Sequence, residues 1–156
     1  MRQPIIISAC LAGLRTRYDG RAFPHPHLDH LAAGWTLVPV CPEVLGGLGI
    51  PRPQCRFMGG DGVEVLEGRA RILDRTGRDR TSHFVRGAEE VNRVVQLVTP
   101  RLIVFKEGSP SCGVRRVDIE GTRQPGCGVT VALLRRHGFS ILTEEDPVEA
   151  YDGTST

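Results

Sequence analysis

The sequence predicts a single α/β domain built on a mainly parallel, Rossmann-like sheet flanked by helices. Four short runs are rich in Ile, Val and Leu without polar alternation, which is typical of parallel strands buried on both faces. They cover residues 5–10, 36–41, 101–106 and 139–143. Helix-like segments lie between the runs, and this alternating order favours parallel pairing. A chain of 156 residues fits one domain with one core.

Three helices are predicted between the strands. The first covers residues 27–33 and is followed by a glycine, which favours a helix C-cap. The longest begins near Thr81 or Ser82, either of which can cap it, and stops before Pro100. Its apolar side chains recur at helical spacing, so one of its faces should pack against the core. The third helix covers about residues 128–137.

A small β-hairpin is expected as an insertion beside the main sheet. Residues 63–66 and 69–73 are strand-like, and they flank the dipeptide Glu67-Gly68. A glycine between two such runs is typical of a tight hairpin turn. The two runs should therefore pair with each other as antiparallel strands.

Composition and charge argue against several classes of function. Basic and acidic residues are interspersed, with a formal net charge of +2, and no basic block indicates a nucleic-acid polymer as partner. No apolar run reaches the length of a membrane span. The first apolar run is too short for a signal peptide, so we expect a cytoplasmic protein. One domain is expected over residues 1–156, with its core at about 5–145 and a C-terminal tail at 146–156.

Five cysteines carry the strongest functional signal. A reducing compartment disfavours a disulfide framework, so each is a core residue, a nucleophile or a metal ligand. Cys10 ends the first predicted strand, Cys41 ends the second, and Cys112 lies in the turn after the third. Parallel strands place their carboxyl ends at one edge of the sheet, where open α/β sheets bind ligands. We therefore expect these three thiols to converge.

Several kinds of site fit three converging thiols. Any one cysteine alone is most often a small, inert core residue. Three cysteines and a water make a catalytic zinc site, and thiolates also ligate iron–sulfur clusters. The lack of close Cys-x-x-Cys pairs weakens the zinc interpretation. Cys55 and Cys127 are expected in loops, as incidental thiols or as a fourth ligand.

Polar residues near these cysteines are candidates for catalysis and substrate binding. Glu43 lies two residues after the second cysteine, where a carboxylate can act as a general acid or base or remain an exposed loop residue. Ser109 and Ser111 precede the third cysteine and can bind substrate, relay a proton or shape the turn. Arg17 and Asp19 belong to a segment that can close over a ligand or form a simple turn.

Several short motifs occur in a fixed order along the chain. They are Ser8-Ala9-Cys10-Leu11-Ala12-Gly13, Arg17-Tyr18-Asp19-Gly20, Val38-Pro39-Val40-Cys41-Pro42-Glu43, Gly46-Gly47-Leu48, Pro51-Arg52-Pro53, Gly59-Gly60-Asp61-Gly62, Gly87-Ala88-Glu89, Ser109-Pro110-Ser111-Cys112-Gly113 and Gly128-Val129-Thr130. In this order they resemble a domain-of-unknown-function family that includes the bacterial 2-thiouracil desulfidases. The resemblance covers about residues 5–145.

The resemblance implies a 4Fe–4S cluster on three cysteines, with one iron left open for the sulfur of a substrate. The ligands fall here on Cys10, Cys41 and Cys112, and catalytic roles fall on Glu43 and Ser109. The implied reaction removes sulfur from a small thiolated compound, such as a thiolated nucleobase, without redox change and with release of sulfide. The sequence does not predict an oligomeric state.

Two alternatives to a desulfidase stay open. The same cysteines suit a cluster or metal carrier, or a redox sensor, that performs no turnover. They also suit a zinc-dependent hydrolase. The chain departs from the family pattern at Thr16, where members often carry Cys or a small apolar residue, and at Cys55 and Cys127, where members usually lack thiols.

Overall fold

The computed structural model describes residues 1–152 and has an α/β fold. Its elements in chain order are β1 (Pro4–Ser8), α1 (Leu28–Gly34), β2 (Thr36–Val40), α2 (Pro42–Leu45), β3 (Cys55–Met58), α3 (Gly62–Leu66), β4 (Arg71–Asp74), α4 (Thr81–Val98), β5 (Leu102–Phe105), β6 (Arg116–Ile119), β7 (Thr122–Pro125), α5 (Val129–Arg136), β8 (Leu142–Thr143) and α6 (Val148–Asp152). Within the described residues, no helix combines the length and the apolar character needed to cross a membrane.

Four parallel strands form the main sheet, in the order β2-β1-β5-β8. In the interior strand β1, Ile6 lies beside Val38 of β2 and Ile103 of β5. Ile6 and Ile103 are almost completely buried, as expected for strands covered on both faces. The parallel sheet predicted from the apolar runs is confirmed, although β8 contains only the last two residues of the predicted run 139–143.

A second four-stranded sheet, in the order β4-β3-β6-β7, contains the antiparallel pairs. Strand β3 pairs antiparallel with β4, and β6 pairs antiparallel with β7. An antiparallel piece beside the main sheet is thus present, but the hairpin predicted for it is wrong. Residues 63–66 lie in helix α3 and pair with no strand.

A capping box explains why this segment is helical. The Asp61 carboxylate accepts a hydrogen bond from the Val63 backbone N–H at 2.9 Å. The Glu64 carboxylate accepts one from the Asp61 backbone N–H at 3.0 Å. The first backbone N–H groups of a helix have no partner within the helix, and these two side chains satisfy such donors at the start of α3. The pattern of contacts is therefore specific to a helix. Because residues 63–66 are helical, they do not pair with β4, and β4 pairs with β3 instead.

Helix α4 begins at Thr81 and ends at Val98, as the sequence predicts, but neither predicted residue caps it. The cap position belongs to Arg80, whose side chain makes no capping hydrogen bond. The Thr81 hydroxyl instead accepts a hydrogen bond from the Ile72 backbone N–H at 2.9 Å. This contact joins the first turn of α4 to strand β4.

The predicted C-terminal tail contains helix α6, which packs on the core. The Tyr151 side chain of α6 is completely buried, and its hydroxyl lies 2.8 Å from Nε2 of His25. The His25 Nδ1 atom accepts a hydrogen bond from the His27 backbone N–H, so Nε2 carries the proton and donates to Tyr151. The part of the predicted tail at 153–156 lies outside the described residues.

Two glycines let α2 approach α4 with backbone against backbone. A Cβ atom on Gly87 would lie 2.0 Å from the carbonyl oxygen of Pro42, and one on Gly46 would lie 2.0 Å from that of His83. No real Cβ atom approaches oxygen so closely, so both positions require glycine. Because α2 begins at Pro42, this contact fixes the position of Cys41, the residue immediately before the helix.

Replacing Gly87 by Ala should lower the free energy of unfolding by about 1–3 kcal/mol, because the added methyl group forces α2 away from α4. Gly34→Ala is the matched control, since a Cβ there meets no atom within 4 Å. The control should change stability by no more than about 0.5 kcal/mol. Urea denaturation followed by circular dichroism measures both variants, and equal midpoints would contradict the backbone contact.

Candidate functional site

A cavity of about 170 Å³ lies beside the carboxyl ends of β1, β2 and β5. Its wall contains Cys10, Cys41 and Cys112. The structure therefore brings together the three cysteines that the sequence predicts as ligands. It also adds the predicted catalytic residues Glu43 and Ser109 to the same wall.

Each cysteine lies in the segment that follows the carboxyl end of a strand. Cys10 lies in the turn after β1, where the Leu11 backbone N–H donates to the Ser8 carbonyl at 2.9 Å. Cys41 follows the last residue of β2 and occupies the N-cap position of α2. Cys112 lies in the loop after β5, and its backbone N–H donates to the Ser109 hydroxyl at 2.7 Å.

The loop that carries Cys112 rests on the first turn of α5. The backbone N–H of Val129 donates to the Pro110 carbonyl at 2.8 Å. A Cβ atom on Gly128 would lie 2.3 Å from the Ser111 carbonyl group, so this close approach also requires glycine. Helix α5 thus satisfies loop carbonyls with its free N-terminal donors and holds the loop against the sheet edge.

Burial makes each of the three thiols harder to ionise than a free cysteine. It raises the pKa of Cys10 to about 11 and that of Cys112 to about 12, and it also raises the pKa of Cys41. Negative charge on Cys41 would raise the pKa of the other two thiols further, so the three sulfurs interact electrostatically. Among residues 1–152, no three His, Cys, Asp or Glu side chains are arranged to hold a single metal ion.

A buried ion pair orients the candidate catalytic carboxylate. Arg52 Nε lies 2.9 Å from Oε1 of Glu43, and the two side chains are only 6% and 12% exposed. The Arg52 guanidinium also donates to the carbonyl oxygens of Thr16 and Gly49, at 3.0 and 3.2 Å. Arg52 is not among the residues to which the sequence pattern gives a role. The prolines on both sides of it, which stiffen the segment, are the signal that could have drawn attention to it.

Two serines connect the carboxylate to the cysteine loop. The Ser111 hydroxyl donates to Oε2 of Glu43 at 3.1 Å and lies 3.3 Å from the Ser109 hydroxyl. Because the Ser109 oxygen already accepts the Cys112 backbone N–H, its own hydrogen remains available to Ser111 or to a ligand. Glu43, Ser111 and Ser109 therefore form one continuous chain of polar groups.

The structure separates the two residues that the sequence pairs as substrate-binding candidates. Arg17 lies in the cavity wall, with its guanidinium 5.7 Å from the ring centre of Tyr18 and 5.5 Å from that of Phe23. Asp19 is exposed, does not line the cavity and accepts a hydrogen bond from the Arg21 backbone N–H at 3.0 Å. That contact is typical of an aspartate that shapes a turn.

A lysine in the cavity wall is a further polar residue of the site that no sequence motif marks. Lys106 Nζ lies 3.1 Å from Oε2 of Glu144, donates to the Glu107 carbonyl at 3.1 Å and lies 4.5 Å from the ring centre of Phe23. Its charge partly offsets the effect of burial on the pKa of Cys10. The sequence shows only a lysine after an apolar run, without any sign of these contacts.

The two remaining cysteines occupy different places. Cys55 begins strand β3, so its predicted loop position is wrong, and it lines the cavity near Glu43. Cys127 is buried in the hydrophobic core, outside the cavity wall, and its backbone N–H donates to the Asp61 carboxylate at 2.9 Å. Neither residue contributes to the electrostatic group formed by the other three thiols.

The chain is similar to known proteins over nearly its whole length. The chain is 33% identical over 145 residues to the uncharacterized protein YbbK of Bacillus subtilis (strain 168), covering 91% of this chain and 96% of that protein. It matches the solved structure of a 4Fe-4S-dependent thiouracil desulfidase, TudS, with a TM-score of 0.83 and 38% identity, over 99% of each chain. The family model of 2-thiouracil desulfurase matches residues 5–146. This chain belongs to the 2-thiouracil desulfurase family.

Proposed function

We propose that this protein is a 4Fe–4S-dependent desulfidase acting on a small thiolated compound, such as a thiolated nucleobase. Water supplies the oxygen that replaces the sulfur, and sulfide is released. The observation that carries the proposal is the meeting of three cysteines, a carboxylate and two serines around one cavity. Membership of the family and the similarity to a thiouracil desulfidase support the same chemistry.

The donor set of the cavity fits an iron–sulfur cluster held by Cys10, Cys41 and Cys112. Thiolates are the ligands that iron–sulfur clusters take, and these three come from separate strand ends that surround one space. A bound metal centre favours the thiolate form strongly enough to offset the effect of burial on the three thiols. Arg17 and Lys106 lie in the same wall and supply positive charge beside the thiolates.

The reaction balances without an electron donor. A carbon–sulfur double bond and water become a carbon–oxygen double bond and hydrogen sulfide. When bound, a cluster with three protein ligands supplies one open iron as a Lewis acid for the thiocarbonyl sulfur. The protein must then hold the substrate, activate the water and move two protons from the water to the departing sulfur.

We assign Glu43 the role of general acid and base. Its Oε1 is anchored by Arg52 and its Oε2 by Ser111, so the carboxylate keeps a fixed direction at the cavity wall. Glu43 takes a proton from the attacking water and returns it as sulfur leaves. Ser109 orients the substrate or passes a proton along Ser111, since the two hydroxyls are 3.3 Å apart.

The remaining assignments concern substrate and compartment. Ser111 and Arg17 are proposed to contact the substrate from the cavity wall. Asp19 does not line the cavity, so a substrate contact from Asp19 requires its exposed turn to move toward the cavity. A cytoplasmic location is proposed because the five cysteines are free thiols, as a reducing compartment maintains them.

Replacing Cys10, Cys41 or Cys112 by Ala should remove most of the iron retained after anaerobic reconstitution, because each change leaves two ligands. Cys127→Ala is the matched control, since this thiol is also buried but lies outside the cavity. The control should keep a full complement of iron and sulfide in a colorimetric assay. Loss of iron from Cys127→Ala with retention in Cys112→Ala would show that the ligand assignment is wrong.

Replacing Glu43 by Gln should leave the cluster intact and slow sulfide release from a thiolated base such as 2-thiouracil. The expected loss is about 100-fold to 10,000-fold, the usual effect of removing a general acid or base. Glu90→Gln, on the exposed face of α4, is the control for loss of a carboxylate. Rates are measured anaerobically on protein of equal iron content.

Two outcomes of that experiment would overturn parts of the proposal. A wild-type rate in Glu43→Gln would remove this carboxylate from the mechanism. If the wild-type protein carries a full cluster but releases no sulfide from any thiolated base, the carrier or sensor interpretation replaces the desulfidase.

Replacing Ser111 by Ala should slow sulfide release by about tenfold to a hundredfold. That range corresponds to about 1.5–3 kcal/mol for a lost hydrogen bond to a charged group, here the 3.1 Å contact with Glu43. Ser82→Ala, at an exposed position of α4, is the control and should keep the wild-type rate. Equal rates for the two variants at equal iron content would show that Glu43 does not depend on Ser111.

A further inference from the structure

One hydroxyl group beside the cysteines has no part in the chemistry described above. Ser8 is the last residue of β1, an interior strand of the main sheet, and only 3% of it is exposed. It lines the cavity together with the cysteines. A buried hydroxyl must find hydrogen-bond partners, because an unsatisfied polar group in the interior is costly.

The contacts of Ser8 fix the direction of its hydrogen. The Lys106 backbone N–H donates to the Ser8 oxygen at 2.9 Å. The hydroxyl hydrogen is then free to be donated, and the acceptor within reach is Sγ of Cys112 at 3.5 Å. A serine that accepts on one side and donates its single hydrogen on the other is held in one rotamer by these two contacts.

The three candidate ligand sulfurs differ in the donors that face them. Cys41 is faced by the backbone N–H groups of Glu43 and Val44 at the start of α2, which side-chain substitutions other than proline leave in place. Cys112 is faced by side-chain hydroxyls, from Ser8 at 3.5 Å and from Ser111 at 3.7 Å. For Cys10, no side-chain donor is found within residues 1–152.

Ser8 is the better donor of the two hydroxyls that face Cys112. Ser111 has one hydrogen, and its shorter contact is with the Glu43 carboxylate at 3.1 Å, a charged and stronger acceptor than sulfur. The backbone that donates to Ser8 is itself fixed in place. Lys106 Nζ pairs with one oxygen of Glu144, and the other Glu144 oxygen accepts a hydrogen bond from the Glu107 backbone N–H at 2.8 Å.

We propose that Ser8 is a positioning residue for the metal centre, donating a hydrogen bond to the ligand sulfur of Cys112. The proposal rests on the proposed function, in which Cys112 binds a 4Fe–4S cluster. Hydrogen bonds to ligand sulfurs draw electron density from them, which raises the reduction potential of a cluster and keeps its irons more electrophilic. Ser8 thus favours the Lewis-acid role of the open iron without touching the substrate.

The test compares the cluster in wild type, Ser8→Ala and Ser8→Thr after anaerobic reconstitution. In Ser8→Ala the midpoint potential should shift to a more negative value, and the iron–thiolate stretching bands in resonance Raman spectra should shift to higher frequency. Ser8→Thr keeps the hydroxyl and should retain the wild-type potential and spectrum. Ser82→Ala, far along the chain on an exposed face, controls for loss of a serine hydroxyl.

The outcomes separate this proposal from the proposed function. A wild-type protein that binds no cluster defeats the proposed function itself. A fully loaded Ser8→Ala with unchanged potential and Raman bands defeats the role of Ser8 alone and leaves the serine as an acceptor for the Lys106 backbone. If Ser8→Ala fails to fold or load, Ser8→Val is compared with Ser8→Thr, which has nearly the same size but keeps the hydroxyl. A more negative potential in Ser8→Val than in Ser8→Thr supports the contact, and equal potentials with equal iron–thiolate bands defeat it.

Discussion

Parallel pairing of β1 with β2 and β5 is the constraint on which the site depends. Because the three strands run in the same direction, the chain leaves each of them at one edge of the sheet, and Cys10, Cys41 and Cys112 follow the strand ends by two, one and seven residues. Strand β1 pairs with β2 over all five of its residues, and Ile5, Ile6 and Ile7 are completely buried on the two packed faces of the sheet, so β1 cannot shift without breaking these contacts. The apolar side chains that fix the register therefore also fix where the thiols lie.

Around this edge, charged groups are buried only where a partner meets them. Glu43 faces Arg52, and Glu107 accepts the backbone N–H groups of Val114 and Arg115 at 2.8 and 3.1 Å just beyond the cysteine loop. Removing one partner of a buried pair leaves an uncompensated charge, which costs about 3–5 kcal/mol. Replacing both partners by apolar groups often costs little. We interpret these pairs as a means of holding the cavity wall in one arrangement.

The main sheet could be predicted from sequence because buried parallel strands leave a pattern that needs no knowledge of their partners. The second sheet could not, since β3 and β6 are short and their pairing depends on distant segments. For α3, the alternation of Val63 and Val65 is typical of a strand. The segment is nevertheless helical, because the capping box of Asp61 and Glu64 stabilises the start of a helix. At the site, the cysteines follow strand ends and are therefore predictable. The role of Arg52 is not, because its partners are brought to it by the fold.

The thiols also bear on how folding and the proposed cluster binding are related. In many small metal-binding domains the metal supplies the folding energy, because the apolar core alone is too small. Here the hydrophobic core extends along the interior of both sheets, and Cys10 and Cys112 belong to it while also lining the cavity. Burial disfavours ionisation of all three thiols, so none of them leaves a charge unpaired. We therefore expect the cavity to form in the absence of metal, and the cost of forming thiolates to fall on the proposed cluster binding. A hydroxyl donor beside Cys112 lowers that cost at the most deeply buried of the three sulfurs.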